Sequence, residues 1–141
     1  MNMKISKKLS ANDIGTTGSH QAGILIPKIP EILSFFPRLD PNAQNPRVKI
    51  SVSEVDQDFK WIFNFIYYNN LFTAGTRNEY RLTGMTRYLR DVAAESGDEI
   101  IFHKNEQDKI FVGLKKQYEP LKYLNDNNVV IVLNKDWSLI R

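Results

Sequence analysis

The sequence predicts a mainly β fold with two short helices, built as a barrel or a pair of curled sheets, from three observations. Short alternating or apolar runs recur along the chain, turn residues separate them, and helical spacing shows at only two connections. Gly23 to Ile26 is a brief apolar run entering Pro27-Lys28, and Pro30 to Phe36 reads as a helix started by one proline and stopped by Pro37. A turn-rich stretch, Leu39 to Pro46, leads into the alternation Val48, Ile50, Val52, a half-buried strand. Lys60 to Tyr68 follows with Trp61, Phe63, Phe65 and Tyr67 on one face. Ile62, Ile66 and Tyr68 lie on the other, interrupted by Asn64, so this strand is expected to be central. Glu54, Asp56 and Asp58 fall where the intervening hairpin loop belongs.

Farther on, Met85, Tyr88, Leu89 and Val92 stand at helical spacing within Thr83 to Ser96, and Ser96-Gly97-Asp98 ends that second helix. Glu99 to His103 and Lys109 to Lys115 flank Asn105-Glu106-Gln107-Asp108 as a hairpin, with His103 expected at a strand edge. Val129 to Leu133 reads as a last buried strand before the turn Asn134-Lys135-Asp136. Six or seven strands result, and residues 1–141 are expected to form a single domain.

A net charge of +3 and a pI near 9.1 permit a nucleic-acid partner without requiring one. The chain has no cysteine, which excludes disulfides, thiolate metal sites and cysteine nucleophiles. No run approaches the roughly 18 apolar residues of a membrane span, so a soluble cytoplasmic protein is the expectation.

Two polar segments carry the chemistry. Thr76-Arg77-Asn78-Glu79-Tyr80-Arg81 places arginines, asparagine and glutamate just after the most apolar strand. Arginine pairs bidentately with guanine O6 and N7, asparagine with adenine N6 and N7, and glutamate accepts from cytosine N4. The alternative for such a run is a solvated loop or edge strand. The second segment, Ser10 to Gln21, is rich in small hydrogen-bonding residues, and Gly15, Gly18 and Gly23 permit close backbone approach. An ordinary loop has the same composition. His20 could serve as base, ligand or donor to guanine. No acid stands at metal-ligand spacing beside it, so neither a metal nor a cofactor is expected.

Lys8-Leu9-Ser10-Ala11-Asn12-Asp13, Thr17-Gly18-Ser19-His20-Gln21-Ala22-Gly23, Ile26-Pro27-Lys28, Tyr67-Tyr68-Asn69 and Thr76-Arg77-Asn78-Glu79 together resemble the N-terminal DNA-binding domain of EcoRII-type restriction endonucleases. Gly97-Asp98-Glu99-Ile100-Ile101-Phe102 is also similar to the Gly-Asp ending of plant B3 domains. The resemblance implies a B3-like DNA-binding pseudobarrel, an open β-barrel whose two arms grip the major groove of double-stranded DNA. Its N-arm would present Ser10, Asn12, Asp13, Thr16, Thr17, Ser19, His20 and Gln21. Its C-arm would present Thr76, Arg77, Asn78, Glu79, Tyr80 and Arg81, with Asn78 either reading a base or bracing the arm. Lys8, Lys28 and Arg47 are phosphate candidates. CCWGG or a relative is the implied site, the nuclease part would lie elsewhere in a parent protein, and localisation would be bacterial, on the nucleoid through DNA. Leu25, Gly75 and Tyr80 replace the family's aromatic and two basic residues, so phosphate contacts are expected to differ.

An enzymatic alternative rests on Asp58-Phe59-Lys60 with Asp40 upstream, the acid and acid-x-lysine pattern of a metal-dependent nuclease. The pattern is loose, and this instance falls on a hairpin loop rather than a buried strand.

Overall fold

Alternation decides which side of each strand turns inward. The computed structural model describes residues 2–15, 23–70, 75, 77–118 and 128–141. Among them nine strands form one sheet: β1 (Met3–Lys8), β2 (Ile24–Ile26), β3 (Arg47–Glu54), β4 (Lys60–Tyr68), β5 (Glu79–Thr83), β6 (Glu99–Lys104), β7 (Ile110–Lys115), β8 (Val130–Val132) and β9 (Trp137–Ile140). Their order is β2-β5-β4-β3-β7-β6-β1-β9-β8. Every pairing is antiparallel except β3 with β7, which joins two antiparallel blocks into one curled, open half-barrel.

Two helices plug the curl. α1 (Pro30–Leu33) begins with proline already at helical φ and delivers Phe35 and Phe36 to the core. The Phe36 ring stacks on Phe65 of β4 at 4.9 Å, and Phe35 meets Phe102 of β6 at 6.3 Å, so this short segment ties the two blocks together. α2 (Thr86–Asp91) sets Tyr88 edge-on to Trp61 and Phe63 at 5.6 and 5.8 Å. The inward faces of β4 and β5 supply Phe63, Phe65 and Leu82, all buried. Burying side chains of this size contributes roughly 1.5–3 kcal/mol each, so the core rather than helix propensity holds the fold.

One buried charge is built into this frame. Asp98 is fully buried, and its carboxylate accepts from Lys116 Nζ at 2.6 Å and from the N–H groups of Glu95 and Gln117 at 2.8 and 3.0 Å. Burial alone would push this carboxyl up, but the ammonium and the two N–H groups outweigh it and hold it below the ordinary carboxylate value. The same pairing, with Glu95 at 3.0 Å, raises Lys116 against the opposing effect of burial.

Several elements differ from expectation for identifiable reasons. β1 lies in the basic N-terminal segment, yet Ile5, Ser6 and Lys7 are all buried because β6 and β9 flank it. β9 follows the Asn134 turn and buries Trp137, Leu139 and Ile140. β8 was expected to be buried, but it is the last strand of the sheet, and Val129, Val130 and Val132 are 58, 45 and 70% exposed. The first helix is only one turn long and finishes through 3₁₀-type bonds to Ile32 and Leu33. The second begins at Thr86 because Leu82 and Thr83 belong to β5 and Gly84 turns the chain at φ +75°. His103 lies within β6 between β1 and β7, not at an edge, and burial and Lys4 push its imidazole below the ordinary value.

Candidate nucleic-acid interface

The two polar segments lead into paired strands. The N-arm joins β1 to β2, and the C-arm joins β4 to β5, which pairs directly with β2. Gly23, at the end of the N-arm, lies against Leu82 and Thr83, where an added Cβ would come within 2.8 Å of the Leu82 carbonyl. Asn78 lies just before the opposite end of β5. Five residues of extended chain separate these roots, roughly 16 Å, a span comparable to the ~12 Å width of a major groove.

The root of the N-arm is pinned. The Lys7 ammonium and the Asp13 carboxylate form an ion pair with both side chains 7% exposed. The same carboxylate accepts from the Ser10 N–H at 2.8 Å, while Ser10 Oγ accepts from the Asp13 N–H at 3.2 Å, a reciprocal arrangement like a capping box. Gly23 N–H then donates to the Asp13 carbonyl at 3.1 Å and closes the base of the loop. Asp13, expected to face a groove, is instead turned inward because Lys7 needs a partner at that depth. Ser10 shares the brace, whereas Asn12 is exposed on the outer side. Thr16, Thr17, Ser19, His20 and Gln21 lie outside the described residues.

The C-arm root is tied to the Pro41–Pro46 turn. Asn45 and Asn69 exchange backbone-to-side-chain bonds at 3.1 Å, and Asn69 Nδ2 donates to the Ala43 carbonyl at 2.7 Å. Asn70 sits at φ +51°, which asparagine tolerates, and its side-chain amide donates to the Arg77 carbonyl. Thr76 lies outside the described residues. Beyond it the strand alternation separates two sets of side chains.

Arg77, Glu79 and Arg81 form the outward row. Arg77 Nε donates to Glu79 Oε1 at 2.7 Å, and the Arg81 guanidinium approaches the same oxygen at 3.7 Å. The Arg77 guanidinium lies 3.7 Å over the ring of Tyr68, whose strand register places it directly opposite Glu79. Exposed pairs of this kind add at most about 1 kcal/mol to stability. Their effect is geometric, presenting two guanidinium forks and one carboxylate side by side. Asn78 and Tyr80 turn the other way. Asn78 Oδ1 accepts from Lys28 Nζ at 2.7 Å and Tyr67 Oη at 2.8 Å, and Tyr80 stacks between Tyr67 and Phe65 at 4.3 and 5.6 Å. Burial and the adjacent Tyr67 hydroxyl push the Tyr80 hydroxyl above its ordinary value, keeping it neutral.

Of the phosphate candidates, Arg47 is exposed and lies in one cross-strand row with Ile66 and Arg81. Lys8 and Lys28 are also exposed, Lys28 already bound to Asn78. Lys49, which no motif marks, is also exposed, in the next row with Asn64 and Thr83. Its signal was the alternation itself, since Ile50 and Val52 point to the core and Lys49 therefore cannot. The nuclease set does not assemble. Pro41, beside Asp40, accepts from Asn69 past the end of β4, whereas Lys60 begins that strand, nine residues or roughly 28 Å away.

The family model "Restriction endonuclease EcoRII, N-terminal" matches residues 2–111. The chain belongs to this family. A type II restriction enzyme EcoRII from Escherichia coli is 41% identical to the chain over 79 residues, a match covering 55% of the chain and 19% of the relative. This EcoRII N-terminal domain also shares its fold with two solved structures. The Arabidopsis FUS3–DNA complex aligns with TM-score 0.62 and 17% identity over 79% of this chain and 94% of that one. The B3 domain of the UbaLAI restriction endonuclease, solved with cognate DNA, aligns with TM-score 0.53 and 20% identity over 82% and 69%. The fold is that of B3 DNA-binding domains.

Proposed function

We propose that the chain is a non-catalytic reader of double-stranded DNA, serving as the target-recognition domain of a type II restriction endonuclease and gripping the major groove with its two arms. The single observation that carries this reading is the Arg77–Glu79–Arg81 row, linked through the Glu79 carboxylate at the start of β5 in an EcoRII N-terminal domain. Three hydrogen-bonding groups at two-residue spacing, two guanine-type donors around one cytosine-type acceptor, suit a site dominated by C and G. CCWGG or a close relative is the proposed target. The FUS3 and UbaLAI structures, each of a related fold with DNA, support a nucleic-acid partner.

Arg47 and Lys49 would hold the phosphate backbone from the adjoining rows, and Lys8 from the β1 side. Asn12 with the Thr16–Gln21 segment would supply the opposing jaw, His20 donating to a base. Tyr80, where the family carries a base, is spent on stacking, so its phosphate contact would pass to neighbouring cations. The separation of Asp40 from Lys60 disfavours the nuclease alternative. Labelled duplexes incubated with the protein and magnesium are expected to be bound and recovered intact. Cleavage abolished by Asp58→Ala would contradict the non-catalytic assignment.

A further inference from the structure

An arginine reads a base edge well only if its guanidinium plane is already aimed, because a free arginine surrenders rotamer freedom on binding. For Arg77, just before β5, the aim is set by Tyr68 of β4 together with Glu79. Tyr68 stands opposite Glu79 in the β4–β5 register, and its ring lies 3.7 Å beneath the Arg77 guanidinium. Glu79 holds the Nε edge of that same guanidinium at 2.7 Å, so stacking fixes its plane and the carboxylate fixes its rotation. The backbone carrying Arg77 is fixed as well. Its carbonyl accepts from Asn70, and the next residue, Asn78, is held by Tyr67 Oη and Lys28 Nζ. Tyr67 in turn ends a ladder of near-parallel rings, Tyr67–Tyr80–Phe65–Phe36, with interplanar angles of 10, 14 and 16°, running from the arm into the core.

We propose that Tyr68 is a positioning residue for base reading, acting through Arg77, and that Asn78 belongs with Tyr67 and Lys28 to the brace rather than to the base-reading set. The inference rests on the DNA-reading function proposed above. It divides the C-arm by strand parity: 77, 79 and 81 face the bases, while 78 and 80 face the ladder.

The test is a double-mutant cycle on Arg77 and Tyr68, read as binding to the best-enriched duplex of a randomised pool and to a scrambled version of it. Tyr68→Leu is expected to weaken binding to the enriched duplex about three- to tenfold, the range of an exposed to part-desolvated cation–π contact, with scrambled-duplex binding unchanged. Tyr68→Phe keeps the ring and should keep wild-type discrimination, and Tyr68→Leu should add nothing once Arg77 is alanine. Wild-type discrimination in Tyr68→Leu, an equal loss on both duplexes, or a Tyr68→Phe protein as impaired as Tyr68→Leu would overturn the positioning role alone. A wild-type protein with no preference between the duplexes would overturn the reading function and this inference together.

Discussion

Replacing Asp98 by alanine is expected to destabilise the protein by about 3 kcal/mol, the lower end of the range for breaking a buried pair. That corresponds to a melting temperature roughly 10 °C lower for a domain of this size. The substitution strands the Lys116 ammonium, 14% exposed, and leaves the N–H groups of Glu95 and Gln117 without their acceptor. The residual pairing of Lys116 with Glu95 places the effect at the low end. Glu95 N–H and Gln117 N–H donate to different oxygens of Asp98, so Asp98→Asn keeps an acceptor for only one of them and should fall between the two. The pH dependence has a fixed sign. The folded carboxyl lies below its ordinary 3.8, so its contribution is fully present above about pH 4 and is lost as pH falls through the folded value. The gap between wild type and Asp98→Asn should therefore be constant near neutrality and close in acid. Thermal melts from pH 7 to pH 3 check this, and a gap that persists unchanged at pH 3 would refute the linkage.

Arg81→Ala and Arg77→Ala are each expected to lose about 1–3 kcal/mol of binding to the target duplex and to relax discrimination at one base pair. Arg81 is the less exposed, 22% against 47%, and is flanked by Ile66 and Leu25 across its neighbours, so its loss should be the larger. Arg47→Ala should behave differently, weakening all duplexes alike and reducing the salt slope by about one. Titrations of target and single-mismatch duplexes at several salt concentrations separate these outcomes. A uniform loss for Arg81→Ala would demote it to a phosphate contact.

Thr76 to Arg81 stands out in the sequence because its residue types carry a donor and acceptor pattern, a pattern a solvated loop shares, whereas β4 was legible because aromatic alternation is hard to mistake. Other features depend on partners that no local pattern reveals. Met3–Lys8 is basic in composition, and Asp13, met after a turn, supplies the charge partner that makes a buried lysine tolerable there. An apolar run such as Val129 to Leu133 has the same composition at the edge of a sheet as at its centre, so its exposure could not be read. Tyr68 looked like one more residue of an apolar strand. Its place beneath Arg77 comes from cross-strand register, which the sequence states only once β4 and β5 are aligned. Asp13 shows the converse, a polar residue in a polar segment whose side chain faces inward.

Random-site selection of the wild-type protein on a pool of randomised duplexes tests sequence-specific recognition most directly. The proposed two-armed reading of DNA predicts enrichment of a short site of C and G around one A or T, CCWGG or a near relative, recovered as intact DNA. A pool that remains random after repeated rounds, at salt low enough to retain nonspecific binding, would contradict it.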